Sequence, residues 1–174
     1  IAYLEELPGI MMPKENPSDS PLGIVGTIGQ RTKGTVYEVS EDDPAYGYHT
    51  NAYVGGPVVA ATFSPFLQAE EGRLIANDAL WSGYSTWFGP GLNLHRTPYN
   101  GRNVGYYSED SVLTGLTAVY VHRSLYEKGV VTNTKHFAFN DQETNRDGLA
   151  VFLNEQAARE NELRGFQIPI RDGS

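Results

Sequence analysis

Residues 135–146 read KHFAFNDQETNR, so a lysine, a histidine, several amides, carboxylates and an arginine directly follow an apolar stretch ending in VVTNT. A solvated helix face could hold such polarity, but the run has little helical periodicity and continues a strand-like segment. It therefore reads as a polar site at the end of a strand. Adjacent residues on a strand point to opposite sides, so Lys135 and His136 act together only where the strand is turning. Taken alone, either fits a structural role, the lysine in an ion pair and the histidine on backbone. The following Asn140, Asp141, Gln142, Glu143, Asn145 and Arg146 shift the balance toward ligand chemistry. Planar amides and guanidinium groups of this kind read several sugar hydroxyls at once, assisted by aromatic faces. Tyr99, Tyr106, Tyr107 and Trp87 are the nearby aromatics, although ordinary packing is the better account of any single ring.

Other chemistries find less support. Asp141 with Glu143, or Glu109 with Asp110, could work as an acid and base pair, but the second pair reads as negative charge at a helix N-terminus. The four histidines, His49, His95, His122 and His136, show no HxH or HExxH spacing for a metal. GPGLN and VGTIG are glycine-rich without a phosphate-cradle framework, and no GxSxG elbow supports a serine nucleophile. Cysteine is absent, which removes disulfides and thiolate ligands. A net charge of -8 without a basic stripe argues against nucleic acid. No apolar run approaches the roughly 18 residues of a membrane span, so a membrane is not an expected partner either.

These residues need elements to position them. The 174 residues suffice for one domain with a hydrophobic core. Residues 1–55 form a loop-rich segment, with turn signals in ENPSDSPLG and EVSEDDPAYGYH. From residue 56 to 174 the rhythm changes to strand and helix. PVVAATF reads as a short β-branched strand, and a helix follows with Ser64 as N-cap, Pro65 at its first position and Leu67, Leu74 and Trp81 at heptad spacing. STWFGPGLNLH reads as a buried strand running into a loop. The next helix spans 111–128, capped by Asp110 or Ser108, with Val112, Leu116, Val119 and Tyr126 on one face and Gly129 after its end. VVTNTKHFAF is the third strand, and FLNEQAARENELRG a third helix closed by Gly165. Successive strand-then-helix units predict a parallel sheet with right-handed crossovers. Binding groups then gather at the carboxyl ends of the strands, which brings Asn93, His95, Arg96 and Arg102 to the same rim as Lys135 and His136.

The segments FGPGLNLHRTPYNGRNVGYYSED, KGVVTNTKHFAFNDQETNR and NEQAARE, in this order and spacing, resemble glycoside hydrolase family 3, the retaining β-glucosidase type. The resemblance covers 56–166 and extends more loosely before it. KHFAFND stands where the N-acetylhexosaminidases of the family carry a KHFPGHG-like sequence, which favours the glucosidase branch. The resemblance implies a partial (β/α)8 barrel of about three to four βα units, one incomplete catalytic domain over 1–174. It also implies roles. Arg102, Lys135, His136 and Arg146 match positions that bind the sugar in the cleaved subsite, and Arg96 matches a position beside that pocket. Asp19 in PSDSPLG is the best match to the aspartate of an SDGP-like motif, with Ser20 in place of the glycine.

The family's nucleophilic aspartate and its acid/base lie downstream of the NEQxxRE helix, so this chain carries neither catalytic carboxylate by match. The resemblance requires no metal or organic cofactor. It implies a β-glucoside or oligosaccharide substrate, with the remainder of the same enzyme or a second copy as partner. The first residue is Ile1, which reads as a chain cut from something longer. The alternative is a non-catalytic truncated homologue acting as a sugar-binding or self-associating module.

Overall fold

The computed structural model describes residues 17–25 and 51–173. Its sheet has three parallel strands, β1 (Pro17–Asp19), β2 (Thr86–Phe88) and β3 (Val131–Thr132), in the order β1-β2-β3. Pro17 pairs with Thr86 and Asp19 with Phe88, while Thr86 pairs with Val131 and Trp87 with Thr132. The central position of β2 explains why Thr86 and Trp87 are almost fully buried. Hydrogen bonding extends past the formal end of β3: Lys135 N–H donates to the Pro90 carbonyl at 3.1 Å, and Leu92 N–H to the Lys135 carbonyl at 2.7 Å. Gly91 also bridges to Tyr106, an approach that needs glycine, because a Cβ there would lie 2.5 Å from the Gly105 carbonyl oxygen.

Helices α1 (Gly56–Ala61) and α2 (Pro65–Trp81) connect β1 to β2, and α3 (Ser111–Glu127) connects β2 to β3. After β3 come the short α4 (Glu155–Ala157), a π-helical turn at Ala158–Glu162, and α5 (Arg164–Asp172). The core lies between sheet and helices, around Ile24, Val59, Ile75, Trp87, Leu92, Val121, Leu125, Val130 and Phe166. Parallel strands joined by helical crossovers make the arrangement a partial (β/α)8 barrel.

Local end signals behave as their chemistry dictates. Ser64 accepts from Leu67 N–H ahead of Pro65, Asp110 accepts from Leu113 N–H, and Gly129 takes a φ of +80° after α3. Four expectations need correction. PVVAA lies within α1, with Thr62 as its C-cap and Phe63 beyond it, and the first strand is instead Pro17–Asp19; Pro57 in the first turn suits a helix start and outweighs the β-branched pair. The buried stripe of α2 is Gln68, Gly72, Ile75, Ala76 and Ala79, whereas Leu67, Leu74 and Trp81 are exposed. On α3 only Val119 of the expected face is buried, and Thr114, Gly115, Thr117, Ala118, Val121, His122 and Leu125 turn inward. Small residues win both positions because the helices approach closely: a Cβ on Gly72 would come 2.5 Å from the Val121 carbonyl oxygen. Finally, Gly165 does not close a helix. It lies inside α5, near the Leu92 carbonyl and the Thr114 methyl.

Candidate functional site

The strands run parallel, so the residues that follow them emerge at one end. Asp19 closes β1, and its carboxylate pairs with Lys135 Nζ, three residues beyond β3. The Lys135 side chain is only 14% exposed, while Asp19 is 52% exposed. Their neighbours hold them in place. Trp87 Nε1 donates to the Ser20 carbonyl at 2.6 Å, fastening the turn beside Asp19. Asn93, 1% exposed, grips the backbone of His136 from both sides: its Oδ1 accepts from His136 N–H at 2.7 Å and its Nδ2 donates to the His136 carbonyl at 3.0 Å. One amide side chain thus continues the work of a strand neighbour where regular pairing has ended.

His136 connects this clamp to the rest of the rim. Arg102 Nη1 lies 3.2 Å from His136 Nε2, and Tyr106 Oη lies 3.0 Å from Nδ1. Arginine only donates, so Nε2 accepts and the neutral ring carries its proton on Nδ1, directed at the tyrosine oxygen. Asn140 Nδ2 also donates to Tyr106 Oη, at 2.9 Å. Burial lowers the pKa of His136 to about 4, and the charges of Arg102, Lys135 and Arg146 reinforce this against Glu143. The ring is therefore neutral at neutral pH. Glu143 joins the two arginines: its Oε1 sits 2.9 Å from Arg102 Nε and its Oε2 3.5 Å from Arg146 Nη1. Burial pushes the Glu143 pKa up, but the Asn140 amide and the two guanidinium groups outweigh it and hold the carboxyl below the ordinary range. An open recess of about 790 Å3 lies beside Glu143, Asn145, Arg146, Asp147 and Gly148, within the size range of small-molecule sites.

Asp19, Lys135, His136, Arg102 and Arg146 thus stand on one rim, linked through Glu143 and through the adjacency of Lys135 and His136. Arg96 is set apart, paired with the buried Glu162 at 2.7 Å through its Nε. Asp141 and Glu143 do not form a pair of carboxylates, since Glu143 turns to the arginines. Asp110 caps α3, as the negative charge of a helix start should. Trp87, Tyr106 and Tyr107 are buried and pack, so none offers a stacking face, whereas Tyr99 is 93% exposed. Sequence reasoning missed the clamp of Asn93 and the hydroxyl role of Tyr106. A single amide between two buried leucines, in LNL, was the available signal for the first.

Residues 56–174 match the family described as "Glycosyl hydrolase family 3 N terminal domain". A putative beta-glucosidase of Schizosaccharomyces pombe is 35% identical over 165 residues, 95% of this chain and 18% of that protein. A beta-glucosidase of Ruminococcus albus is 40% identical over 116 residues, 67% of this chain and 12% of its own length. The chain therefore spans less than a fifth of the length of these relatives. Among solved structures, beta-glucosidase 3B from Thermotoga neapolitana in complex with alpha-D-glucose superposes with a TM-score of 0.82 at 31% identity, covering 98% of this chain and 22% of that one. DesR, a beta-glucosidase from Streptomyces venezuelae in complex with D-glucose, gives 0.80 at 28% identity, covering 99% of this chain and 20% of that one.

Proposed function

Because the chain belongs to glycosyl hydrolase family 3, we propose that it is part of a β-glucosidase and holds the terminal β-D-glucosyl unit in the cleaved subsite. The observation that carries this reading is the convergence of Asp19, Lys135, His136, Arg102 and Arg146 at the carboxyl ends of three parallel strands. Asp19 and Lys135 offer an acceptor and a donor side by side, suited to vicinal hydroxyls of one sugar face. Arg102 and Arg146 present guanidinium N–H groups steadied by Glu143. His136, whose ring nitrogens are both engaged, meets a hydroxyl by exchanging its contact with Arg102.

Retaining glycosidases use two carboxyl groups about 5 to 5.5 Å apart, one as nucleophile and one as acid then base. The residues on this rim make and break no bond in that scheme. Their part is to orient the ring and to strengthen hydrogen bonds as positive charge develops at the anomeric carbon. The two reacting carboxylates belong to further sequence of the same enzyme. That sequence also suits β3, an edge strand among the described residues, and the exposed Phe137 and Phe152, which a completed barrel of about 250 residues would cover. A monodisperse monomer of the 174-residue chain with no exposed apolar patch would count against this completion.

The decisive assay incubates the isolated chain and the full-length enzyme with a chromogenic β-glucoside, each also as Lys135→Ala. The isolated chain should show no turnover, and the full-length enzyme should lose about a hundredfold in kcat/KM when the lysine is removed. Turnover by the isolated chain that vanishes with Lys135→Ala would overturn the reading, because a carboxylate within these residues, Asp141 or Glu143 first, would then be doing the chemistry.

A further inference from the structure

Tyr106 is 1% exposed, and its hydroxyl lies at the inner end of a line of hydrogen-bonding groups that begins at the rim. Arg102 Nη1 is 3.2 Å from His136 Nε2, His136 Nδ1 is 3.0 Å from Tyr106 Oη, and Tyr106 Oη is 3.5 Å from the Asn140 carbonyl. The neutral imidazole has one proton for its two nitrogens. Placed on Nε2, that proton would face the Arg102 donor, and neither could accept from the other. Placed on Nδ1, it meets a free lone pair. Tyr106 Oη then accepts from the histidine and from Asn140 Nδ2 at 2.9 Å, and its own proton points to the Asn140 carbonyl. Every donor in the line has an acceptor, and the bonds all run in one direction, from Arg102 to Asn140.

The tyrosine is held where this requires it. Its backbone N–H donates to the Asn103 carbonyl at 3.2 Å, and its own carbonyl meets His95 Nε2 at 2.8 Å. Two glycines make room for it: a Cβ on Gly56 would come 3.0 Å from the Tyr106 carbonyl oxygen, and one on Gly91 2.6 Å from the ring. Burial raises the Tyr106 pKa against the Asn140 amide and the Arg102 charge, so the hydroxyl keeps its own proton. We propose that Tyr106 is a positioning residue that makes His136 a hydrogen-bond acceptor toward the sugar: by accepting from Nδ1–H it leaves Nε2 with a lone pair for a hydroxyl of the glucosyl unit. That hydroxyl replaces the direct contact of Arg102 with Nε2. It accepts from the guanidinium and donates to the imidazole, which extends the line in the same direction. A hydroxyl both donates and accepts, as an ether oxygen does not, so this place selects a free hydroxyl. The sugar contact rests on the function proposed above, whereas the tautomer and the hold of Tyr106 on it do not.

The experiment reads the His136 tautomer by ring-nitrogen NMR of the full-length enzyme labelled at histidine, assigned by difference against His136→Ala, with and without D-glucose. It is paired with kcat/KM on a chromogenic β-glucoside. The wild type should carry the ring proton on Nδ1 in both states. Tyr106→Phe keeps the buried ring and leaves Asn140 its bond to Glu143, and part of its His136 proton should move to Nε2. Its kcat/KM should fall about tenfold, roughly the value of one hydrogen bond. In a His136→Ala background the same change should cost under about twofold, because the tyrosine acts through the histidine. A proton on Nε2 in the glucose-bound wild type overturns the acceptor assignment, and this spectrum needs no variant. A tautomer that Tyr106→Phe leaves unmoved, or an equal loss in both backgrounds, overturns the positioning role. A full-length enzyme that neither binds glucose nor turns over the glucoside, yet shows the expected tautomers, sinks the glucosidase reading and upholds the hold of Tyr106 on the ring.

Discussion

Two regions of this molecule are held together by different means. Where α2 crosses α3, Gly72 comes against the Val121 backbone and Ser124, and the buried residues of the two helices include the small Ala76, Ala79, Thr117 and Ala118, so the close approach of two backbones supplies the cohesion. At the rim the regular elements have ended. There Asn93 grips the His136 backbone, Trp87 fastens the turn beside Asp19, and Glu143 ties two arginines together. The helix layer is therefore sensitive to volume and tolerant of changes in polarity at its outer face, and the rim is sensitive to lost donors and acceptors. Dispersion and apolar burial reward tight fit, while a buried polar group costs most when its partner is removed.

The largest test of this contrast is Gly72→Leu. A Cβ alone would sit 2.5 Å from the Val121 carbonyl oxygen and 3.0 Å from its Cα, and both are backbone atoms that cannot turn aside. Unfolding in urea should show a loss of about 4 kcal/mol. A loss under about 1 kcal/mol would mean that the crossing is loosely packed and would remove one side of the comparison. Next comes pH. His122 is 5% exposed and its Nε2 has no partner, and burial lowers its pKa to about 4. A histidine whose folded pKa is depressed contributes stability above its unfolded value of about 6.5, and that stability is lost as pH falls toward about 4. The shift corresponds to roughly 3 kcal/mol. His122→Gln should flatten the acid limb of a stability profile between those values, and an unchanged limb would refute the assignment.

These two residues also show why some of the fold was legible in the sequence and some was not. Ser64, Pro65, Asp110 and Gly129 act on backbone groups within a few positions, so their roles can be read locally. The inward faces of the helices could not be read from hydrophobicity, because close approach selects glycine and alanine and sends Leu67, Leu74 and Trp81 outward. At the rim, charge and strand position sufficed to gather Lys135, His136, Arg102 and Arg146. Asn93 was expected on the rim, but its clamp escaped because it substitutes for a backbone neighbour distant in sequence. Glu162 escaped because ARENE resembles a solvated helix, and the π-helical turn at Ala158–Glu162 changes which residue faces inward.

The rim has its own substitution of the kind that Gly72→Leu makes in the helices. Asn93→Leu keeps the same branched skeleton of heavy atoms and removes both bonds to His136. The expected cost is about 2 kcal/mol in urea unfolding, since a donor and an acceptor lose their partner in a buried place. The His136 ring should also lose its fixed approach to Arg102 and Tyr106, visible as averaging of its ring-proton resonances. A variant that unfolds normally and keeps a fixed ring would show that the strand pairing of Lys135 alone positions the histidine, and the contrast between the two regions would weaken.

The smallest effect separates volume from backbone conformation. Gly72 is required because nothing larger fits, but Asn145, between the paired Glu143 and Arg146, is constrained by its φ of 54° in the left-handed region. Asparagine tolerates that region better than other residues with a Cβ, and glycine tolerates it without penalty. Asn145→Gly should therefore change stability by only a few tenths of a kcal/mol, while Asn145→Ala should cost about 1 kcal/mol. The side chain is exposed, so packing contributes little to either value. Equal losses in both variants would show that the asparagine side chain, not its backbone, holds the turn. A larger loss for glycine than for alanine would show that the flexibility added to the unfolded chain dominates, and would remove the left-handed turn as a reason for asparagine at this place.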